Sequence, residues 1–243
     1  MNLDNLCFEV TRKCNMTCGH CLRGEAQNKS ISKSVIDKTL ENVTRINSIT
    51  FTGGEPTLAI PQIKYIVDQI ISKNILVDRF FVATNGKIAS KELVDILWKF
   101  WVYINESIDE SIDESIDDNY SCLTISKDDF HNYEIGNDWL EAESLYKAFV
   151  FYDDKCKSET PKILINEGRA IESGYECKDK EKVTKVYMIE EDEYIESMVY
   201  INVKGDVILS CDYSYETQNK EKIGNVLTNS LWNIYLQKFN EEI

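Results

Sequence analysis

The chain has 243 residues, a length typical of one domain or of one domain with a small extension. Its 42 acidic residues outnumber its 27 basic residues, which gives a formal net charge of −15 and disfavours an extended nucleic-acid-binding face. The N-terminus has no signal-peptide pattern, and no apolar run approaches the ~20 residues of a membrane span. We therefore expect a cytoplasmic protein whose 8 cysteines serve metal or redox chemistry rather than disulfides.

Short β-rich runs alternate with helical patterns over the first two thirds of the chain. In order, we predict a strand at CFEVT, a helix capped by Ser32 or Ser34, a strand at SITFTGG, a helix at IPQIKYIVDQIISK, a strand at RFFVATNG, a helix at KELVDILWKFW and a strand at SCLTIS. Such alternation is typical of a parallel α/β fold.

A repeat, ESIDESIDESIDD, follows the third predicted helix. Isoleucine recurs every four residues from Ile104 to Ile116, so a helix would carry these side chains as one slowly drifting stripe. The pattern predicts an acidic, solvated helical insertion over residues 104–118. A docking surface for a basic partner is the alternative.

The last part of the chain has weaker patterns. DWLEAESLYK predicts a helix, and AFVFY and KILINEGRA predict a fifth and a sixth strand. Only about ten residues separate these two strands, which leaves little room for a crossover helix. VTKVYMI, YIESMVYINV and DVILSC then read as antiparallel strands, and NSLWNIYLQKF as a closing helix. We predict a core at residues 1–172 and a small α+β C-terminal extension at 173–243.

Three cysteines, Cys14, Cys18 and Cys21, follow the first strand with the spacing C-x3-C-x2-C. With His20, they could form a Cys3His zinc site, since structural zinc takes four ligands. Iron–sulfur cubanes instead bind cysteine thiolates at each iron, so three cysteines would leave one iron open for chemistry.

Two loops accompany the cysteines. GGEP (Gly53–Pro56) ends the second strand and TNG (Thr84–Gly86) ends the third, at the edge where parallel α/β folds bind ligands. Gly53 and Gly54 allow close approach of the backbone to a ligand, and the Glu55 carboxylate can accept hydrogen bonds from an ammonium group. Taken alone, both loops could be ordinary turns.

In this order the three motifs resemble the radical S-adenosylmethionine (SAM) superfamily, over about Cys7–Ala170. The resemblance implies an α/β fold, a partial (β/α)6 TIM-like barrel, with a [4Fe–4S] cluster on Cys14, Cys18 and Cys21. SAM would chelate the fourth iron. One-electron reduction, from a donor such as flavodoxin or ferredoxin, would cleave SAM to a 5′-deoxyadenosyl radical that abstracts a substrate hydrogen.

The same resemblance implies a set of SAM contacts. They come from Gly53, Gly54 and Glu55 at the methionyl ammonium, from His20 and Asn166 near the adenine, from Asn85 near the ribose, and from Ser126 near the ribose or carboxylate. Asn166 belongs to the NEGRA run, which resembles the sixth-strand segment of peptide-modifying members. For Ser126 a plain strand-end hydroxyl is the alternative.

The C-terminal extension resembles the SPASM or twitch extensions that bind auxiliary iron–sulfur clusters. Such extensions use clustered cysteines, whereas here Cys211 stands alone in its segment and Cys122, Cys156 and Cys177 are scattered. We therefore expect a single cluster, with Cys211 a buried apolar side chain, a hydrogen donor or a ligand for a substrate thiol. His131 is a candidate proton donor or an ordinary loop histidine.

The function that this resemblance favours is radical chemistry on a peptide or protein side chain. A similar enzyme acting on a small molecule or nucleotide, like 7-carboxy-7-deazaguanine synthase, is the alternative within the superfamily. A non-catalytic zinc protein is the alternative of another class, and it would leave the GGEP and TNG loops without a role.

Overall fold

The computed structural model describes residues 1–107, 121–126, 131, 139, 141, 150–153, 164–179, 187–189 and 193–239. The described helices are α1 (Lys33–Thr39), α2 (Ile60–Ser72), α3 (Lys91–Ser107), α4 (Tyr215–Lys220) and α5 (Leu231–Phe239). The described strands are β1 (Asn2–Thr11), β2 (Arg45–Gly53), β3 (Leu76–Thr84), β4 (Cys122–Ser126), β5 (Val150–Asp153), β6 (Leu164–Ile165), β7 (Cys177–Lys178), β8 (Tyr187–Ile189), β9 (Tyr194–Ile201), β10 (Asp206–Ile208) and β11 (Gly224–Asn225).

One mixed, mainly parallel sheet organises these elements in the order β11-β10-β9-β1-β2-β3-β4-β5. Strands β1 to β5 are parallel neighbours in chain order, as in a partial TIM-like barrel. The predicted fold class is therefore confirmed. All five strands end at the same edge of the sheet, so the loops that follow them are brought together.

Local sequence explains the first helices. The Ser32 hydroxyl accepts a hydrogen bond from the Val35 N–H at 3.3 Å, so Ser32 rather than Ser34 is the N-cap of α1. In α2 the apolar stripe is buried, with Ile63 and Ile70 fully inaccessible. These helices and α3 pack on the apolar face of β1 to β4 and form the core. Within the described residues, no helix combines the length and apolar character of a membrane span.

The sixth predicted strand is present, but it does not pair with the barrel strands. Leu164–Ile165 does form β6, but β6 pairs with β7 in a separate two-stranded parallel sheet rather than with β5. Residues 154–163 alone connect β5 to β6, and a parallel crossover with its helix needs about 10–12 residues or more. The ESID repeat beyond Ser107, most of DWLEAESLYK, and Cys156 lie outside the described residues.

The C-terminal segment continues the main sheet. Strand β9 pairs with β1 in parallel, although the sequence predicted only antiparallel pairing there, while β8 and β10 pair antiparallel with β9. Buried polar groups reinforce this junction. Arg12 Nε donates to Glu9 Oε1 at 2.6 Å, Arg12 Nη2 donates to Gln218 Oε1, and the Tyr200 hydroxyl donates to Glu9 Oε2. The predicted domain boundary at residue 172 marks a change in sequence pattern, but the main sheet contains strands from both sides of it.

Candidate active site

The carboxyl ends of β1 to β4 surround a cavity of about 340 Å³. Its lining includes most of the predicted site residues: Cys14, Cys18, His20, Cys21, Gly53, Gly54, Glu55, Asn85, Ser126 and His131. A cavity of this size is large enough for a cofactor. The structure thus brings together residues that are separated by more than a hundred positions in the sequence.

The paired glycines fit the GGEP loop against the chain that leads into the cysteines. A Cβ at Gly53, whose φ is +148°, would collide with the carbonyl oxygen of Thr11, and a Cβ at Gly54 would collide with that of Lys13. Gly54 N–H donates to Thr11 O and Glu55 N–H to Lys13 O, both at 2.8 Å. The close approach that the glycines permit is therefore to the backbone just before Cys14.

The Glu55 side chain joins the GGEP loop to the TNG loop. Its Oε1 accepts hydrogen bonds from Thr57 N (3.0 Å), Thr57 Oγ1 (2.7 Å) and Thr84 Oγ1 (2.6 Å). Its Oε2 accepts from Asn85 N at 2.9 Å. The carboxylate is almost inaccessible, and Oε2 accepts one hydrogen bond although it has two lone pairs. That oxygen can still accept a bond from a ligand in the cavity.

Asn85 connects the TNG loop to the cysteine loop, defined here as residues 14–23. Its Nδ2 donates to Asn15 Oδ1 at 2.8 Å, and its Oδ1 accepts from Lys87 N at 3.0 Å. Among the described residues, the buried Nδ2 of Asn15 has no hydrogen-bond partner. Because a buried donor without a partner is costly, this atom marks the cysteine loop as a place where a further acceptor would be stabilising.

The cysteines themselves are half-buried and close enough to affect one another. Burial raises the pKa of both Cys14 and Cys18, and the neighbouring cysteines raise the pKa of Cys18 further. The Arg169 guanidinium opposes this effect at Cys18. Uncompensated thiolates are thus unfavourable at this position, and a cationic iron centre would remove that cost.

These donors fit a [4Fe–4S] cluster. Within the described parts of the chain, no three His, Cys, Asp or Glu side chains converge on a single point as the ligands of one ion must. Cluster cysteines need no common point, because each thiolate binds a different iron atom. Cys14, Cys18 and Cys21 all line the cavity, which fits one thiolate on each of three irons.

The two histidines of the chain meet in this cavity. The His20 and His131 rings are edge-to-face, with centroids 5.4 Å apart, and His131 Nε2 lies 3.8 Å from Cys18 Sγ. His131, the candidate proton donor, therefore lies at this cavity. Ser126 also lines the cavity, from the end of β4.

Two predicted residues lie elsewhere. Asn166 lines a neighbouring cavity of about 530 Å³, between the cysteine loop, the turn after β6 and α4, and its Nδ2 donates to Asp179 Oδ1. Cys211 packs against an apolar cluster that contains Cys7 and Tyr200. Neither side chain is part of the lining of the cysteine cavity.

Sequence reasoning missed several residues of the lining, including one threonine and two arginines that bear on the site. These three are Thr84, Arg23 and Arg169. Thr84 belongs to the ATNG run, so the sequence shows a hydroxyl at this position. Its hydrogen bond to Glu55 joins two separate loops, however, and neither loop sequence alone predicts it. Arg169 lies in the NEGRA run beside Asn166, and the sequence did not indicate which of these side chains faces the cysteines.

Comparison with known proteins agrees with this geometry. The family model described as "Radical SAM superfamily" matches residues 8–129, about half of the chain. Protein YfkA of Bacillus subtilis strain 168 is 43% identical over 72 residues, which are 28% of this chain and 19% of that protein. Uncharacterized protein MJ0907 of Methanocaldococcus jannaschii is 29% identical over 115 residues, 44% of this chain and 39% of that protein. The matches thus span less than half of either relative.

The fold also matches a solved structure. The protein anSMEcpe with bound AdoMet superposes with a TM-score of 0.58 at 14% identity, over 100% of this chain and 79% of that chain. At that identity the likeness concerns the fold. The matched family region contains the cysteine loop, GGEP, TNG and β4, which are the elements that surround the cavity.

Proposed function

The chain belongs to the radical SAM superfamily, whose enzymes use a [4Fe–4S] cluster and SAM, and from this we propose that it modifies a peptide or protein side chain. The observation that carries the proposal is the convergence of three cysteines, the GGEP and TNG loops and Ser126 on one cavity. When bound, the cluster supplies the electron that cleaves SAM to a 5′-deoxyadenosyl radical, which takes a hydrogen atom from the substrate.

We propose that Cys14, Cys18 and Cys21 hold the cluster. Their spacing and their shared place in the cavity lining support this assignment. We place the methionyl ammonium of SAM against the GGEP loop, where Glu55 Oε2 accepts one hydrogen bond and can accept another. The glycines keep this loop in contact with the backbone of Thr11 and Lys13, just before the cysteine loop.

We propose the remaining SAM contacts from the lining of the same cavity. His20 would face the adenine, Asn85 the ribose, and Ser126 the ribose or the carboxylate. Asn166 remains a weaker candidate, because it lines the neighbouring cavity. Of the two catalytic candidates we favour His131, which lines the cysteine cavity, over Cys211, which packs in an apolar cluster.

Two observations favour a peptide substrate over a small molecule. The GRA turn (Gly168–Glu172), whose sequence resembles that of peptide-modifying members, contributes Arg169 to the cavity wall. In addition, anSMEcpe, with which this chain shares its fold, was also solved with AdoMet and the Cp18Cys peptide bound. We further propose a twitch-like role for residues 173–243, a flavodoxin or ferredoxin as electron donor, and a cytoplasmic location.

The test begins with anaerobic reconstitution with iron and sulfide, followed by dithionite and SAM. We expect about four irons per chain and release of 5′-deoxyadenosine, both lost in Cys14→Ala, Cys18→Ala and Cys21→Ala. Cys122→Ala is the matched control, since the Cys122 thiol bonds to Thr124 and is outside the cavity lining. Cluster-free protein, or cleavage that survives loss of these cysteines, would refute the assignment.

The substrate class is tested by deuterium transfer. Side-chain-deuterated peptides and deuterated nucleosides are offered separately to the reconstituted enzyme, and 5′-deoxyadenosine is analysed by mass spectrometry. Deuterium from the peptides supports the proposal. Deuterium from the nucleosides alone would establish the small-molecule alternative instead.

A further inference from the structure

The guanidinium of Arg169 lies against the backbone of the cysteine loop. Its Nε donates to the carbonyl oxygen of Cys18 at 2.9 Å, and the Arg169 backbone N–H donates to the carbonyl oxygen of Cys21, also at 2.9 Å. Cys21 N–H in turn donates to Cys18 O at 3.2 Å, which closes a turn between the two cysteines. Arg169 therefore bonds to both ends of that turn.

The GRA turn is shaped for this contact. Gly168 has φ +56°, and a Cβ there would collide with Leu22 O and Gly24 N. Only a glycine lets the two backbones come this close, and the closeness brings the Arg169 amide to Cys21. The contact thus depends on two adjacent residues of the GRA turn, which makes a chance surface approach a poor explanation.

The charge of Arg169 lies in the wall of the cavity that Cys14, Cys18 and Cys21 also line. Its side chain is 21% exposed and lines the cavity, while its ion-pair partner Glu25, 3.3 Å from Nη1, is 84% exposed. Because exposed pairs are strongly screened, Glu25 cancels little of the positive charge that reaches the cavity. The charge is held beside the cysteine loop, because Arg169 Nε lies 2.9 Å from the carbonyl oxygen of Cys18.

We propose that Arg169 is a positioning residue for the cluster: it holds the Cys18–Cys21 turn in place, and its positive charge favours one-electron reduction of the bound cluster. The reduction potential of an iron–sulfur cluster depends on nearby charge and on hydrogen bonds around its ligands. This inference rests on the proposed function, because it requires that the cysteine loop bind the cluster.

Two substitutions separate the two effects. Arg169→Gln removes both the charge and the guanidinium that bonds to Cys18 O, whereas Arg169→Lys keeps the charge but loses the guanidinium. Lys220→Gln is the matched control, because it removes a cation that lines the neighbouring cavity and pairs with Glu216.

The first measurement is an EPR-monitored dithionite titration of the reconstituted enzyme. For Arg169→Gln we expect the equilibrium constant for one-electron reduction to fall about tenfold, a shift of about 59 mV towards more negative potential. Arg169→Lys and Lys220→Gln should stay close to wild type. A potential that is unchanged in Arg169→Gln, with about four irons still bound, overturns the electrostatic part of the inference and leaves the proposed function intact.

The second measurement is hydrogen–deuterium exchange of the cluster-free protein. Peptides that cover residues 14–23 should exchange faster in both Arg169 variants and at the wild-type rate in Lys220→Gln. Unchanged exchange overturns the positioning part. If the wild type binds no iron, the proposed function fails by that observation, and the exchange data still decide whether Arg169 holds the turn.

Discussion

Replacing Glu55 by Gln tests whether this carboxylate is the link between the GGEP and TNG loops. The carboxylate accepts four hydrogen bonds, three at Oε1 and one at Oε2. A glutamine can keep the three bonds at its oxygen, but its NH2 group then faces the Asn85 N–H, donor against donor. One charge-assisted bond is lost, and the other three become neutral ones.

The magnitude follows from these bonds. A hydrogen bond to a charged group contributes about 1.5–3 kcal/mol, and a neutral one about 0.5–1.5 kcal/mol. The summed loss is partly offset, because the amide is cheaper to bury than the carboxylate. We expect Glu55→Gln to lower the free energy of unfolding by about 2–3 kcal/mol, which corresponds to a fall in Tm of roughly 4–12 °C for a chain of this size.

Urea and thermal unfolding of the cluster-free protein, followed by circular dichroism, measure this difference. The control is Glu92→Gln, since Glu92 is an exposed residue in the first turn of α3 and its change should stay within about 0.5 kcal/mol. If Glu55→Gln is as stable as this control, the carboxylate does not hold the two loops together, and the role assigned to Glu55 is wrong.

Two further predictions concern the cysteine loop and β1. Gly54→Ala should lose most of its iron on reconstitution because the new Cβ strikes Lys13 O, whereas Gly19→Ala, where a Cβ meets nothing within 4 Å, should keep it; equal iron content by ferrozine assay would contradict this. Burial raises the pKa of the Cys7 thiol above the ordinary value of 9.0, so below pH 9.0 the thiol is neutral in the folded and the unfolded chain alike. Above that pH the unfolded chain loses the proton while the folded chain keeps it, so the stability of the fold falls. The stability of Cys7→Ala should therefore fall more slowly than that of the wild type between pH 9 and 11, by up to about 1.4 kcal/mol per pH unit, as measured by urea unfolding. Equal pH dependence of the two stabilities would refute this prediction.

Much of the barrel could be predicted because the signals for its strands and helices lie within short stretches of the sequence. Each strand from β1 to β4 is a short apolar run with a turn signal after it, and α2 carries its apolar residues at helical spacing. Strands that alternate with helices pair in parallel, and parallel strands end at one edge. The convergence of the cysteine, GGEP and TNG loops follows from those two rules together.

Pairing across long distances in the sequence was not predictable in the same way. The alternation in β9 indicates a strand, but it holds no information on which edge that strand joins, and β9 joins β1 in parallel. The short connection before β6 was a usable signal, because it argued against a normal crossover, and β6 indeed pairs with β7.

The GGEP motif indicates where the site lies, but it does not show what the Glu55 carboxylate binds. A carboxylate accepts hydrogen bonds equally well from a ligand's ammonium and from the chain's own N–H and O–H groups, so its presence in GGEP is compatible with either use. The structure gives three of the bonds at Oε1 to Thr57 and Thr84 and leaves Oε2 with a single one. One oxygen thus fixes the loops while the other remains able to accept a ligand, and a substitution that alters both oxygens should affect folding and binding together. The same reasoning applies to Gly53 and Gly54, whose missing side chains bring the GGEP loop against the chain before Cys14, so that the loop proposed for SAM and the loop proposed for the cluster are positioned by one contact.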